Sequence, residues 1–418
     1  MIQGNTFYER YFSYIGLTES PRLYHRWTAV SIIAALLGRR LFIPFGHDNI
    51  YPNHYILLVG DPGTRKGTAI TPGKRLLRSS GYNKFSPDRI SPERFIIELE
   101  NASRVDIGND PTDLIELENL TLDEVSELYV NIGEFGDFIG DGNLNFIRLL
   151  TNLWDNLPEY KHPKIHGKSV AVPKPTVNIF AGTTSQDIAT AIPIEAIGQG
   201  FFSRFILVHG ESNGRMYSRL PLIGDTDRKE FAKELIDIKN IMDGELKISE
   251  TVWGLLDKMY KGFIDIDDFR FKHYSTRRYT HLLKLCECLS SMRKEINLKE
   301  ETCIDANTLL HYTELRMTKA LGEYGKAKNA DVTNNVMHII RAASKPPAMK
   351  DIYKKVAQDL NKQTDLIDIL NNLKLAGKIQ VVDVPSETRK GYAPLNLIAK
   401  QWDTNLINDG FLTSEERM

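Results

Sequence analysis

Apolar and polar residues follow two different rhythms along the chain, and the change of rhythm divides it. Residues 1 to 40 read as helices, with Pro21 starting the second and Gly38 stopping it. The longest apolar run, WTAVSIIAALLG, is too short to span a bilayer and reads as a buried helix. RRLFIPFG then reads as a strand. HYILLVG is a short apolar run cut off by a glycine-rich turn, the pattern of a strand buried on both faces of a parallel sheet. TAITPGKRLLRSS begins as a helix that Pro72 ends early or restarts. SPERFIIELENA carries Ser91 as an N-cap, Pro92 behind it and Glu93 in the first turn. SELYVNIG, TVNIFAGTT and RFILVHG are further candidate strands, and LNFIRLLTNLWDNL a helix. Strands alternating with helices predict a three-layer α/β domain.

After about residue 222 the strands fade and four long stretches show helical period. From 331 to 398 three short helices precede KIQVVDV, a basic turn with Arg389 and Lys390, and YAPLN; that order is a winged helix. The expected division is 1–45 N-terminal helices, 46–222 α/β core, 223–330 helical lid or collar, 331–398 winged helix and 399–418 tail. The wing offers Arg389 and Lys390 to DNA, but the expected recognition helix carries Asp365 and Asp368 and little positive charge before Lys374, which disfavours groove reading and favours protein contact or ring packing.

The bulk numbers narrow the classes. The 418 residues have a net charge of −1, so no global basic field draws the chain to nucleic acid; a local patch must do so. The three cysteines, Cys286, Cys288 and Cys303, lack metal-ligand spacing and fit core filling in a reducing cytosol. The polar and aromatic opening MIQGNTFYERYFSY does not resemble a signal peptide. A cytoplasmic protein without a membrane partner is expected.

The candidate chemistry starts at GDPGTRKGT, Gly60 to Thr68: Gly60, Asp61, Pro62, Gly63, Thr64, Arg65, Lys66, Gly67 and Thr68. A turn between a buried strand and a helix, with a lysine at its end, is the frame of a phosphate cradle. Backbone N–H groups face the phosphates and Lys66 adds a point charge. Two positions depart from G-x-x-x-x-G-K-[ST]: Arg65 stands for the second glycine and Gly67 for the hydroxyl residue. LYVNIGEFGDF offers Glu134 to orient an attacking water, although Gly133 stands where an aspartate is expected. Thr68 and Glu134 are the candidate Mg²⁺ ligands, with Asp137 acting through water. Thr183 or Thr184, ending the next strand, offers a hydroxyl to the γ-phosphate or the water, with plain strand-end capping as the alternative. Arg204 precedes the following strand and is a candidate to reach a neighbouring subunit's nucleotide; an ion-paired arginine is the alternative. EYKHPKIHGKSVAVPKP, with Lys161, Lys164, His166, Lys168 and Lys174, predicts a basic hairpin able to hold a nucleic-acid backbone, against a solvated charged loop. His162 and His166 have no Cys or acid at ligand spacing, which argues against a metal.

Taken together, YHRWTAVSIIAALLGRRLFI, GDPGTRKGTA, GEFGDF, FAGTTSQD and GFFSRF resemble, across roughly residues 20 to 320, a family of P-loop ATPases of bacteriophages, plasmids and mobile islands. These are similar to superfamily 3 helicases of the AAA+ class and are often fused to or paired with a primase-polymerase. The resemblance implies an AAA+-like core binding ATP and Mg²⁺. It implies a homo-hexamer moving on single-stranded or forked DNA during replication in a bacterial or archaeal host cytoplasm. Residues 60 to 68 then look like Walker A, Glu134 like the Walker B glutamate, Thr183 or Thr184 like sensor 1 and Arg204 like the arginine finger. Lys161 to Lys168 look like the DNA-touching hairpin. Arg277 and Arg278 are weaker nucleotide-contact candidates. Fewer than fifty residues precede the core, so no primase domain is expected on this chain. A non-motor initiator or helicase loader, using nucleotide as an assembly switch, is the competing expectation.

Overall fold

Thr6 opens the first helix, α1 (Phe7–Ile15): its hydroxyl accepts from the Glu9 amide while Glu9 accepts from the Thr6 amide, a reciprocal cap. The cap is seen in the computed structural model of the protein. The structure describes residues 4–102, 125–165, 168–193, 195–198, 200–220, 224–266, 268–322, 324, 330–360, 362–375, 378–384, 390–394 and 403–417. Helix α2 (Arg22–Leu37) is buried on every face, as an apolar run without polar period must be, and Gly38 ends it at φ 54°.

Then come β1 (Leu41–Phe45), β2 (Asp48–Ile50), β3 (Tyr55–Val59), α3 (Lys66–Ser79), α4 (Pro92–Asn101), β4 (Glu127–Ile132), α5 (Phe135–Ile139) and α6 (Leu144–Leu153). They are followed by β5 (Glu159–Ile165), β6 (Lys168–Pro173), β7 (Thr176–Thr183), α7 (Ser185–Ala191) and β8 (Phe205–His209). β3, β4, β7 and β8 form a parallel sheet in the order β4-β7-β3-β8. β3 is buried along its whole length, and its alternate residues feed separate cores. Ile56 and Leu58 pack with α2 and α3, whereas Tyr55, Leu57 and Val59 pack with Phe95, Phe138 and Phe146. The sheet is thus the middle of three layers.

Helix α3 differs from expectation: it runs unbroken through Pro72. An interior proline costs about 3 kcal/mol. Here the burial of Ala69, Ile70, Leu76 and Leu77 offsets it, and Gly73 lets α2 pass close by. A Cβ at Gly73 would stand 2.5 Å from Thr28 Cγ2.

The later part of this unit is helical: α8 (Asp225–Ile241), α9 (Glu250–Gly262), α10 (Ser275–Met292) and α11 (Glu300–Ala320). It keeps one short strand, β9 (Gly244–Glu245), which pairs parallel with β1 beside the antiparallel β2. Residues 403–417 return to the same unit, where Arg26 Nε meets Glu416 Oε1 at 2.6 Å, both side chains buried.

Residues 325–401 form a second compact unit. It contains α12 (Ala330–Ala342), α13 (Met349–Val356) and α14 (Gln363–Leu375), then antiparallel β10 (Ile379–Asp383) and β11 (Lys390–Pro394). Its own core includes Val336, Ile340, Ile352, Leu366, Leu370 and Ile379. The protein is mixed α/β, with 54% of the described residues helical. Among the described residues, no helix is long and apolar enough to cross a membrane.

Candidate functional site

Register decides which residues meet at the sheet's edges. Val59 pairs with Thr183 and with His209, and Ile132 pairs with Ala181. The carboxyl edge therefore presents, side by side, Glu134, Thr183, the loop from Gly60 to Thr68, and Gly210. Thr183 lies between the acid and the loop because β7 separates β4 from β3.

Glycines let these segments close. A Cβ at Gly182 would stand 2.4 Å from the Gly133 carbonyl oxygen and 3.4 Å from Lys66 Cβ. A Cβ at Gly60 would stand 2.6 Å from both the Gly210 oxygen and the Tyr24 hydroxyl. That hydroxyl donates to the Val59 carbonyl at 2.7 Å, so α2 supports the loop from beneath.

The loop turns through Gly63 at φ 90° and Arg65 at φ 60°, ψ 34°. The arginine that replaces the motif's second glycine thus holds a left-handed backbone that glycine adopts without strain. Its Nε donates to Glu19 Oε2 at 2.7 Å. Lys66 begins α3 with its side chain largely buried, and its ammonium folds over the loop, donating to the Gly60 carbonyl at 2.7 Å and the Asp61 carbonyl at 3.2 Å. Burial lowers its pKa, while the nearby Glu134, Asp187 and Asp61 work against that. Thr64 bonds Asp61, and Thr68 lies half-buried in the helix's first turn. Gly67 and Gly133 both face open space: a Cβ at either would meet nothing within 4 Å.

Glu134 sits at the N-terminus of α5 and makes no side-chain cap there. Burial raises its pKa, with Asp187 and Asp137 adding to the rise and Lys66 opposing it. It borders a cleft of about 390 Å³ with Asp137, Asp141, Asp187 and Arg89. Thr184 caps α7, accepting from the Asp187 amide at 3.0 Å while Asp187 accepts from the Thr184 amide at 3.2 Å. Of the two threonines, Thr184 is therefore committed to the cap; Thr183, buried at the strand end, donates its hydroxyl to the Thr184 carbonyl at 3.3 Å, and its own carbonyl accepts from the Gly60 amide at 3.4 Å. Among the described residues, no group of three or more His, Cys, Asp or Glu is arranged to hold a metal alone. A second cleft, of about 430 Å³, flanks Gly210 on the far side of the loop and is lined by Arg22, His209, Arg316 and Lys319 among others.

Arg204 lies elsewhere. Phe205 pairs with Tyr55, so Arg204 is at the amino edge of the sheet, away from Lys66 of its own chain. It is buried and bonds Asp155 Oδ2 at 2.6 Å, and Arg277 meets the same carboxylate at 2.9 Å. Arg278 is buried against Glu314 at 2.8 Å. Neither α10 arginine reaches the loop level; both hold the helical region to the sheet or to itself. β5 and β6 do form an antiparallel hairpin at this amino edge, irregular between His162 and Ile165. Lys161 there is exposed and pairs with Glu159 at 2.7 Å. The side chains of Lys164, His166 and Lys168 lie outside the described residues, as does Arg389; Lys390 begins β11 and is exposed.

Sequence reasoning missed Asp187, Asp155, Tyr24 and Gly210. Asp187 had a legible signal, the T-x-x-D cap after the strand. The other three come beside the candidate residues only through the tertiary fold: Tyr24 from α2, Asp155 from the end of α6 and Gly210 from the end of β8. No protein-family model matches the chain, and no curated protein matches it at a significant level.

Proposed function

We propose that this protein is a P-loop ATPase of the AAA+ class that works as a homo-hexameric helicase or translocase on single-stranded DNA in the replication of a phage or mobile element. The observation that carries the reading is the convergence of Lys66, Glu134 and Thr183 at one sheet edge, closed by the side-chain-free contact of Gly182 with Gly133. The loop's amides and the start of α3 would cradle the phosphates. Lys66 would move from its own carbonyls to the outer phosphates, Glu134 would orient water, and Thr183 would hold it in line. The cleft beside Gly210, with Arg22 and Arg316, would take the sugar and base. Mg²⁺ usually keeps several waters and needs one or two protein ligands beside the phosphates. Thr68 and Glu134, with Asp187 and Asp137 near Glu134, fit that sparse demand, and the ion would neutralise charge on the phosphates. Because Arg204 stands at the opposite edge, it would act on a neighbouring copy's nucleotide, as in a ring. The basic hairpin shares that edge and would face DNA. Residues 325–401 have the element order of a winged helix.

The competing reading is an initiator or loader that binds nucleotide as a switch. The bare Gly67 and Gly133 favour it, since both usual metal-ligand positions lack side chains. Strand separation on a forked duplex with ATP and Mg²⁺ distinguishes the two: the motor reading expects unwinding that Lys66→Ala abolishes. A loader hydrolyses ATP without unwinding.

A further inference from the structure

We propose that the second unit binds the phosphodiester backbone of nucleic acid through the exposed face of α13, and not through its third helix, α14. The chain's near-neutral total conceals an asymmetry. Residues 325 to 401 carry thirteen Lys and Arg against seven Asp and Glu, while the remainder carries 40 against 47.

Part of the excess lies on one face of α13. That helix turns Ile352 and Val356 into the unit's core, with Met349 and Tyr353 partly covered beside them. The opposite face presents Lys350, Lys354 and Lys355, all exposed. Lys350 and Lys354 are one turn apart, with Cβ atoms about 6 Å from each other. No ion pair holds any of the three among the described residues. The acid on α13 itself, Asp351, accepts from the Ala348 amide at 3.2 Å and closes the helix start, and Asp359, exposed, follows one turn after Lys355. With three lysines against the single acid Asp351, α13 keeps a net positive charge.

A polyanion with closely spaced phosphates fits this face better than a protein surface. The larger unit's small acidic excess is spread over more than three hundred residues, whereas duplex DNA carries about one charge per 1.7 Å of axis. Lysine ammoniums are point charges that position a backbone without reading bases. The carboxylates of Asp365 and Asp368 on α14 repel a groove lined with acceptors, so the contact would be sequence-independent.

The test uses the full chain without nucleotide, so it is independent of the ATPase reading. Labelled random-sequence duplex and single-stranded oligonucleotides are titrated across a salt series. The comparison is wild type, K350Q/K354Q/K355Q, and a charge-matched control with Lys229, Lys233 and Lys258 of the larger unit changed to Gln. The α13 variant should bind at least roughly tenfold more weakly near physiological salt, with a log K against log salt slope shallower by about 2 to 3. The control should bind like wild type, and Lys→Arg at the three α13 positions should retain affinity. The duplex and single-strand arms say which form is preferred. Equal affinity and slope for wild type and the α13 variant would overturn the proposal. So would equal losses in variant and control, or a change confined to self-association by sedimentation, which would make the face a protein contact.

Discussion

The guanidinium of Arg204 is bonded to the carboxylate of Asp155 at 2.6 Å, at the edge of the sheet opposite Lys66. The strand between the two edges spans about 13 Å at roughly 3.3 Å per residue. An Arg204 that serves hydrolysis must therefore serve another subunit. Lys66→Ala and Arg204→Ala proteins should each lose turnover, Arg204→Ala by roughly 10³-fold. Mixed, they should recover part of it, because a Lys66→Ala subunit still lends its Arg204. Rates in the mixture no higher than in either alone would rule out action in trans.

Gly67 and Gly133 each have room for a side chain. Gly67→Ser supplies the hydroxyl that the usual loop carries, and Gly133→Asp supplies the usual carboxylate. Either change should lower the Mg²⁺ concentration giving half-maximal turnover, by several-fold, without a loss of thermal stability beyond about 1 kcal/mol. An unchanged Mg²⁺ dependence in both variants would mean that the ion is held by other groups.

Gly182 is the opposite case. A Cβ there meets the backbone of Gly133 at 2.4 Å, which cannot move like a flexible side-chain tip. Gly182→Ala should cost about 1–3 kcal/mol of stability and weaken ATP-analogue binding further, because it pushes Glu134 away from Lys66. Denaturant unfolding and calorimetric titration of the folded variant read the two effects separately.

Arg65 pays for its left-handed backbone about 1 kcal/mol, partly offset by its exposed pairing with Glu19, which contributes at most about 1 kcal/mol. Arg65→Gly should stay within about 1 kcal/mol of wild type and keep nucleotide affinity. Arg65→Val, a β-branched residue at φ 60°, should be clearly less stable. Unfolding midpoints that rank Val at or above Gly would contradict the loop geometry.

Burial, followed by Asp187, raises the pKa of Glu134, and Lys66 opposes the shift. A Glu134 that orients water must be ionised, so activity should fall as pH drops through a pKa above the ordinary carboxylate range. Asp187→Asn removes a like charge and leaves an oxygen to accept from the Thr184 amide. Its acid limb should move to lower pH in the kcat profile. A limb that stays in place would detach Glu134 from the rate.

The central strand and its neighbours were legible because Tyr55–Val59 is apolar without alternation and ends in Gly60, a local signal of double burial. Lys66, Glu134 and Thr183 were legible for the same reason: each follows a strand whose end can be read from its own residues. Helix α3 was misread at Pro72, since the packing of Gly73 against Thr28 is not a local property. Asp155 was invisible because it lies 49 residues before Arg204 and joins it only through the fold. The left-handed Arg65 was hidden too: the arginine spelling masks a glycine conformation.

The most direct measurement is steady-state ATP hydrolysis with Mg²⁺, with and without single-stranded DNA, by wild type and Lys66→Ala. Turnover should be stimulated by single-stranded DNA and abolished by Lys66→Ala. Absence of hydrolysis under both conditions, or a rate that Lys66→Ala leaves unchanged, would contradict the ATPase reading.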